Sequence, residues 1–128
     1  MDNSSRRFYG MLGFAMRAGK VLFGTDTVCK KMSVRGAVRL VIVASDASAG
    51  TKKKLLTKSD FYSIPAIVSE ADSGELGRLL GKTFAACVIG ISDEKFAEEI
   101  RKAHAEIDSD GQREQTIERK EVSDSGNR

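Results

Sequence analysis

The stretch RLVIVAS, Arg39 to Ser45, is a continuous run of apolar, mostly β-branched residues inside a chain of 128 residues. Such a run is typical of a strand that is covered on both faces. A second apolar run, ACVIGIS, occupies Ala86 to Ser92. Both runs are far too short to cross a bilayer. They predict the central strands of a sheet that is buried between helices.

Helical and strand patterns alternate around these two runs. Apolar residues at helical spacing predict helices, and short apolar segments bounded by turn residues predict strands. The predicted helices span 6–18, 25–35, 46–62 (after an initial loop), 72–81 and 93–107, and the predicted strands span 20–23, 39–45, 65–69 and 86–92. This alternation predicts an α/β protein, a three-layer α/β/α sandwich around a small mixed sheet of about four strands.

The length of the chain suits one domain. Hydrophobic residues make up 41% of the chain, which favours a folded protein over a disordered one. Residues 108–128 are polar and contain almost no apolar side chains. The sequence therefore predicts one folded domain over residues 1–107, followed by a disordered or frayed tail.

Charge is distributed unevenly along the chain. Residues 1–103 contain 17 Lys and Arg against 11 Asp and Glu, whereas residues 104–128 contain 4 against 7. These balances of +6 and −3 give the net charge of +3. A basic body favours an anionic partner. The polar opening MDNSSRRFYG does not resemble a secretory signal, so we expect a cytoplasmic protein.

Residues suited to catalysis or metal binding are few. Cys29 and Cys87 lie far apart, and the single histidine, His104, has no partner nearby in sequence and is expected at the surface. Asp46 and Asp93 follow strands, where α/β sheets collect ligands, yet both positions also suit caps of the following helices. The phosphate-binding patterns GxGxxG and GxxxxGK[ST] are absent. We therefore expect no metal, no cofactor and no catalytic centre.

Three segments suit contact with an anionic polymer. GTDTVCK, residues 24–30, begins a helix whose first N–H groups lack intrahelical acceptors and attract anions, although Thr25 and Asp26 also suit a helix cap. SAGTKKK, residues 48–54, brings three lysines that equally suit a solvated surface. GKTFAA, residues 81–86, contains Phe84, which suits either stacking on a base or covering the edge of the core.

The order of these segments along the chain is more specific than any one of them. The informative stretches are LGFAMRAGKVLFGTDTVCK, RLVIVASDASAGTKKKL, IPAIVSEADSGELGRLLGK and AACVIGISD. From about Phe8 to Ile107 the chain resembles the L7Ae/L30e superfamily of ribosomal and kink-turn RNA-binding proteins, especially its small bacterial YlxQ-like branch. The resemblance implies an L30e-like fold and a non-enzymatic, monomeric protein that binds ribosomal or kink-turn-like RNA, with ribosomal proteins as further partners.

The resemblance also implies which residues contact RNA. In kink-turn binders a helix start enters the RNA major groove at tandem sheared G·A pairs, where a sharp bend opens the groove, and the loop before the last strand contacts a flipped-out base. Lysines nearby would neutralise phosphates, with Lys52, Lys53 and Lys54 as further candidates, so affinity should fall steeply with salt. The RNA-contacting positions implied in this sequence are Lys20, Gly24, Thr25, Asp26, Thr27, Lys30, Lys31, Lys82, Thr83, Phe84 and Ala85.

Two residues depart from the family's RNA-reading pattern. Asp26 stands where a neutral or basic side chain is usual, and its carboxylate accepts hydrogen bonds but repels phosphate. Thr27 stands where a longer Glu or Gln reaches the base edge, and a lost bidentate contact removes about 1–3 kcal/mol of discrimination. These departures keep open a second interpretation, a protein-interaction module of the same fold that has lost RNA binding. An enzyme or small-molecule binder is the third and weakest.

Overall fold

A computed structural model of the protein describes the backbone of residues 3–119 and the side chains of residues 5–107. Within this part of the chain, five helices alternate with four strands. The elements are α1 (Asn3–Arg17), β1 (Val21–Phe23), α2 (Thr25–Met32), β2 (Leu40–Val43), α3 (Ala49–Phe61), β3 (Ala66–Val68), α4 (Ser73–Leu79), β4 (Val88–Ile91) and α5 (Glu94–Arg119).

The four strands form one mixed sheet in the order β1-β4-β2-β3. β4 is antiparallel to both β1 and β2, whereas β2 and β3 are parallel. Phe23 pairs with Ile89, and Val43 pairs with Val88. The last residues of β1, β2 and β3 therefore meet the first residue of β4 at one edge of the sheet, called here the carboxyl edge. The opposite edge, where β2 begins and β4 ends, is called the amino edge.

Helices cover both faces of the sheet, which confirms the predicted three-layer sandwich. Along β2 the side chains alternate: Leu40 and Ile42 join α1, α4 and α5 in one core cluster, while Val41 and Val43 join α2 and α3 in another. All four side chains are fully buried. Burial of each side chain stabilises the folded state by roughly 1.5–3 kcal/mol, because apolar surface is removed from water. The sequence RLVIVAS thus supplies apolar groups to both halves of the core.

Two helix ends differ from the sequence prediction. α2 ends at Met32 rather than near residue 35, because Ser33 begins a turn and its hydroxyl donates to the Lys30 carbonyl oxygen, 3.0 Å away. α5 continues to Arg119, beyond the predicted end near residue 107. Residues 108–119, assigned from sequence to the tail, contain no proline and are rich in Glu, Gln and Arg, which propagate a helix. Residues 120–128 of the predicted tail lie outside the described residues.

No helix in the described part of the chain is long and apolar enough to cross a membrane.

Candidate nucleic-acid interface

The start of α2 is an uncapped helix terminus at the carboxyl edge of the sheet. Gly24 occupies the cap position at φ 101°, a backbone conformation that glycine adopts readily. Its N–H donates to the Val88 carbonyl oxygen at 3.0 Å, and its own carbonyl oxygen accepts from the Val28 N–H at 3.0 Å. Among the described residues no side chain caps this helix, so Thr25 and Asp26 do not act as caps. The first N–H groups of α2 therefore remain available for an external acceptor.

Close packing against β4 fixes the position of α2. Val28 is fully buried beneath the helix. A Cβ atom added to Gly90 of β4 would lie 3.3 Å from a Val28 methyl group, so the glycine permits this close approach. Lys30 and Lys31 lie on the exposed side of the helix. α2 thus presents its cationic face outwards, with its first turn at the carboxyl edge.

The loop at residues 82–85 is held against α4 at the same edge. The Lys82 N–H donates to the Gly77 carbonyl oxygen at 2.8 Å, and the Ala86 N–H donates to the Ser73 carbonyl oxygen at 2.9 Å. Gly77 is buried, and a Cβ atom added there would overlap the Phe84 carbonyl oxygen. The absence of a side chain at Gly77 therefore allows the loop to lie directly on the helix.

Phe23 joins the loop to the start of α2. Its ring centroid lies 5.8 Å from that of Phe84 in an edge-to-face arrangement, with an interplanar angle of 86°. The Lys82 ammonium group lies 5.1 Å from the centroid of the Phe23 ring, within cation–π distance. Phe84 keeps 52% of its surface exposed. Phe84 therefore both packs on a neighbouring ring and offers an open surface.

Sequence reasoning did not assign Phe23 to the interface. Its only signal is its place as the last residue of a strand, directly before the glycine that begins α2. Neither residue type nor spacing shows that Phe84, more than sixty residues later, lies against it. The contact arises from the pairing of β1 with β4.

The structure brings most, but not all, of the predicted RNA-contacting residues together. The first turn of α2 and the lysines that follow it are neighbours of the loop 82–85. α3 also begins at the carboxyl edge, where the Ser48 hydroxyl accepts from the Thr51 N–H at 3.1 Å. Of the three lysines after Ser48, Lys53 and Lys54 are exposed. Lys20 lies at the amino edge instead, where its carbonyl oxygen accepts from the Ser92 N–H at 2.9 Å. Its backbone is thus separated from the α2 start by the length of β1.

The two aspartates that follow strands act as structural hydrogen-bond acceptors. Asp93 caps α5, as its Oδ2 accepts from the Phe96 N–H at 3.0 Å. Asp46 does not cap the next helix, α3, but accepts from both the N–H and the hydroxyl of Ser73 at 2.9 Å. These bonds, the one from the Ser73 N–H foremost, lower the pKa of the Asp46 carboxyl. Asp46 therefore ties the loop after β2 to the start of α4.

The remaining residues considered for catalysis or metal binding are one histidine and two cysteines. His104 is half-buried rather than at the surface, with its ring centroid 5.8 Å from that of Phe8. The surface position expected from the sequence is wrong, because α5 extends past His104 and packs this residue against α1. Cys29 and Cys87 are free thiols, and burial raises the pKa of Cys87. Among the described residues, no three His, Cys, Asp or Glu side chains are grouped to hold a metal ion.

Comparison with known proteins identifies the family. The model of the ribosomal protein L7Ae/L30e/S12e/Gadd45 family matches residues 6–101, and the chain belongs to this family. The resemblance found in the sequence is thereby confirmed.

Individual relatives agree with the family assignment. The chain is 39% identical over 90 residues to the large ribosomal subunit protein eL30 of Sulfolobus acidocaldarius, covering 70% of this chain and 86% of the relative. It is 37% identical over 98 residues to the RNA-binding protein YlxQ of Bacillus subtilis, covering 76% and 94%. A solved structure of a Bacillus halodurans protein of unknown function is 42% identical, with a TM-score of 0.70 over 80% of this chain and 97% of that chain.

Proposed function

We propose that this protein is a non-enzymatic, cytoplasmic RNA-binding protein that docks as a monomer on a kink-turn or similarly bent RNA, such as an element of ribosomal RNA. The observation that supports this most is the exposed, uncapped start of α2 beside the loop 82–85. The relatives named as a ribosomal protein and as an RNA-binding protein give independent support.

The proposed contact has three parts. The free N–H groups of the first turn of α2 donate to phosphate oxygens or base acceptors, favoured by the positive end of the helix dipole. Lys30, Lys31 and Lys82 neutralise phosphates. The exposed part of the Phe84 ring stacks on an unpaired base, a contact worth about 1–3 kcal/mol in proteins that bind single strands.

Asp26 determines which RNA groups can approach the start of α2. Its side chain is exposed on the first turn and makes no hydrogen bond with a described residue. Its carboxylate accepts hydrogen bonds from guanine N–H groups but repels phosphates that approach the same helix start. The preferred RNA therefore presents donors to Asp26 and phosphates to the neighbouring backbone.

The first test is a titration of the full chain against a standard kink-turn RNA and a regular duplex of equal length, at two salt concentrations. Lys30→Ala should weaken kink-turn binding roughly three- to tenfold and reduce the slope of log affinity against log salt by about 0.7–0.9, as expected for one lost phosphate contact. Lys95→Ala is the matched control, since Lys95 is also an exposed lysine and lies at the start of α5, on the amino edge. An affinity that is independent of salt, or equal losses in both variants, contradicts the proposal.

Asp26→Asn completes this experiment. Removing the negative charge should strengthen kink-turn binding several-fold, because the repulsion of nearby phosphates disappears. If the parent protein fails to bind while the Asp26→Asn variant binds, the helix start is competent but its natural RNA is not a standard kink-turn.

The exposed carboxylate of Asp26 also favours a second candidate, a protein-interaction module of the same fold. In that case neither the parent protein nor the Asp26→Asn variant binds structured RNA at any salt concentration. Lys30→Ala then leaves the protein's function in the cell unchanged.

A further inference from the structure

A second basic surface lies at the amino edge of the sheet, away from the start of α2. A cavity of about 510 Å³ opens there between the turn after α2, the turn after α3 and the first turns of α5. Arg35 and Arg39 line it from the turn after α2, and Arg101 lines it from α5. We call this surface the arginine groove.

The arginines of the groove are weakly neutralised. The single acidic residue in its lining, Glu94, approaches Arg39 at 3.6 Å, and both side chains are largely exposed, at 68% and 47%. An exposed ion pair of this kind contributes little to stability, and another anion can readily replace its carboxylate. Arg35 and Arg101 form no ion pair with any described residue. The lining of this cavity thus contains three arginines and one acidic residue, and two of the arginines form no ion pair with a described residue.

The backbone around the arginines is shaped by two tight turns. Gly36 adopts φ 78°, and the Arg39 guanidinium lies over it, 3.5 Å from where a Cβ atom would stand. Ser63 in the facing turn adopts φ 57°, an uncommon conformation for a residue other than glycine. Between these turns the lining is apolar and aromatic, with Val38, Ile64 and the half-buried Tyr62. The groove thus combines a cationic rim with a floor suited to a ring.

The groove continues along α5. A second cavity, of about 420 Å³, shares Arg101 with the first. It is lined by Ile67 at the outer strand, by Lys102 and His104, and by one acidic residue, Glu98. Each cavity lies within the range of volumes that hold small ligands. Two adjoining spaces with an arginine at their boundary suit consecutive units of a polymer better than one free nucleotide.

We propose that the arginine groove binds single-stranded RNA. Phosphates lie on the forked guanidinium groups of Arg35, Arg39 and Arg101, which match phosphate geometry bidentately. A base lies on the apolar floor beside Tyr62, in the manner of proteins that combine a positive groove with an aromatic ring. This site does not depend on the RNA contact proposed for α2, and its place at the opposite edge allows both to be filled together.

The test is the binding of a fluorescein-labelled oligouridine, ten nucleotides long, to the full chain. Arg35→Ala and Arg101→Ala should each weaken binding roughly three- to tenfold, with a salt slope lower by about 0.7. Arg101→Lys should recover only part of the loss, because lysine lacks the fork. Arg78→Ala, an exposed arginine on α4, is the matched control and should bind like the parent protein.

Separate outcomes distinguish the two sites. Lys30→Ala should leave oligouridine binding unchanged, and Arg101→Ala should leave kink-turn binding unchanged. Oligouridine binding that is lost with Lys30→Ala and retained with both arginine variants overturns the groove proposal, whatever the result with the kink-turn. If uridine monophosphate competes as well as unlabelled oligouridine, the groove binds a nucleotide and the proposal of single-stranded RNA is overturned. If oligoglutamate of the same charge competes equally well, the groove binds an acidic protein instead.

A further measurement uses the unaltered chain, so its result does not depend on whether the variants fold. Photo-crosslinking with an oligouridine that contains 4-thiouridine should label residues 33–39, 62–65 or 101. Labels confined to residues 24–30 and 82–86 contradict the proposal.

Discussion

Phe23 contacts both the Phe84 ring and the Lys82 ammonium group, so one side chain links two segments that are far apart in sequence. An edge-to-face pair of this kind contributes about 0.5–1.5 kcal/mol beyond the burial of its surface. We propose that Phe23 acts on RNA binding through position, because it directly precedes the glycine that begins α2. The ring thereby sets the distance between the helix start and the loop.

Replacing Phe23 tests this link. Phe23→Leu keeps an apolar side chain but removes the ring, so the loop 82–85 should lose its support and kink-turn affinity should fall several-fold. A double-mutant cycle with Phe84→Leu should return a coupling of about 0.5–1.5 kcal/mol in unfolding by denaturant. Phe61→Leu is the control, since Phe61 is 77% exposed and has its own ring partner, Tyr62. Additive effects of Phe23→Leu and Phe84→Leu would show that the two rings act separately.

At the scale of elements, α4 positions the loop that follows it. The helix begins with a capping box, in which Asp72 accepts from the Glu75 N–H and Glu75 accepts from the Asp72 N–H. The sequence DSGE, with Asp and Glu three residues apart, is typical of such a reciprocal cap and predicts it without the structure. The role of Gly77 has no such local signal, because it depends on the loop that returns across the helix.

Gly77→Ala should displace the loop. The added methyl group overlaps the Phe84 carbonyl oxygen, so we expect a loss of about 1–3 kcal/mol in unfolding free energy and weaker kink-turn binding. Gly10→Ala is the matched control within α1, where an added Cβ atom meets nothing within 4 Å. That change should stabilise the protein by about 0.5–1 kcal/mol, since alanine favours a helix. Unchanged stability in Gly77→Ala would show that the loop does not rest on α4.

The bond between Asp46 and Ser73 predicts a dependence of stability on pH. Because the folded state lowers the pKa of Asp46 below its ordinary value of 3.8, the stabilisation is complete above about pH 4 and is lost as the pH falls through the folded value. Asp46→Asn should therefore lower the Tm at neutral pH, and its Tm should approach that of the parent protein in acid. Asp60→Asn, which changes an exposed carboxylate on α3, is the control. A gap in Tm between the parent protein and Asp46→Asn that does not narrow in acid would contradict this assignment.

At the scale of the whole molecule, the two edges of the sheet present different surfaces. The carboxyl edge combines the starts of α2, α3 and α4 with the loop 82–85, whereas the amino edge combines turns and the start of α5 with the arginine groove. The core between them is supplied by both faces of β2 and β4 and is closed on one side by α1 and α5. The last buried side chain described on α5 is Ile107, which is 8% exposed.

We therefore propose residues 1–107 as the folding domain, and truncation tests it. A chain that ends at residue 107 should retain the Tm of the full protein within a few degrees, because it keeps the described core. It loses 6 acidic and 4 basic residues, which raises its net charge from +3 to +5 and should strengthen RNA binding at low salt. A chain that ends at residue 103 lacks Ile107 and should melt at a clearly lower temperature. Equal losses of stability in both chains would extend the domain into the later part of α5.

The sequence by itself determined the class of fold, the buried strands, the capping box of α4 and the family, because these depend on local patterns: apolar periodicity, caps and the order of short motifs. It also indicated the start of α2, since the need of a helix for acceptors at its first turn is a local property. Only the tertiary structure decided what meets across the sheet. Strand pairing placed Phe23 against Phe84, and the direction of β1 placed Lys20 at the amino edge. The packing of the elements directed Asp46 to Ser73 and brought Arg101 beside Arg35 and Arg39 in one groove. Such contacts join residues that are remote in the chain, and their geometry is set by packing rather than by any local preference.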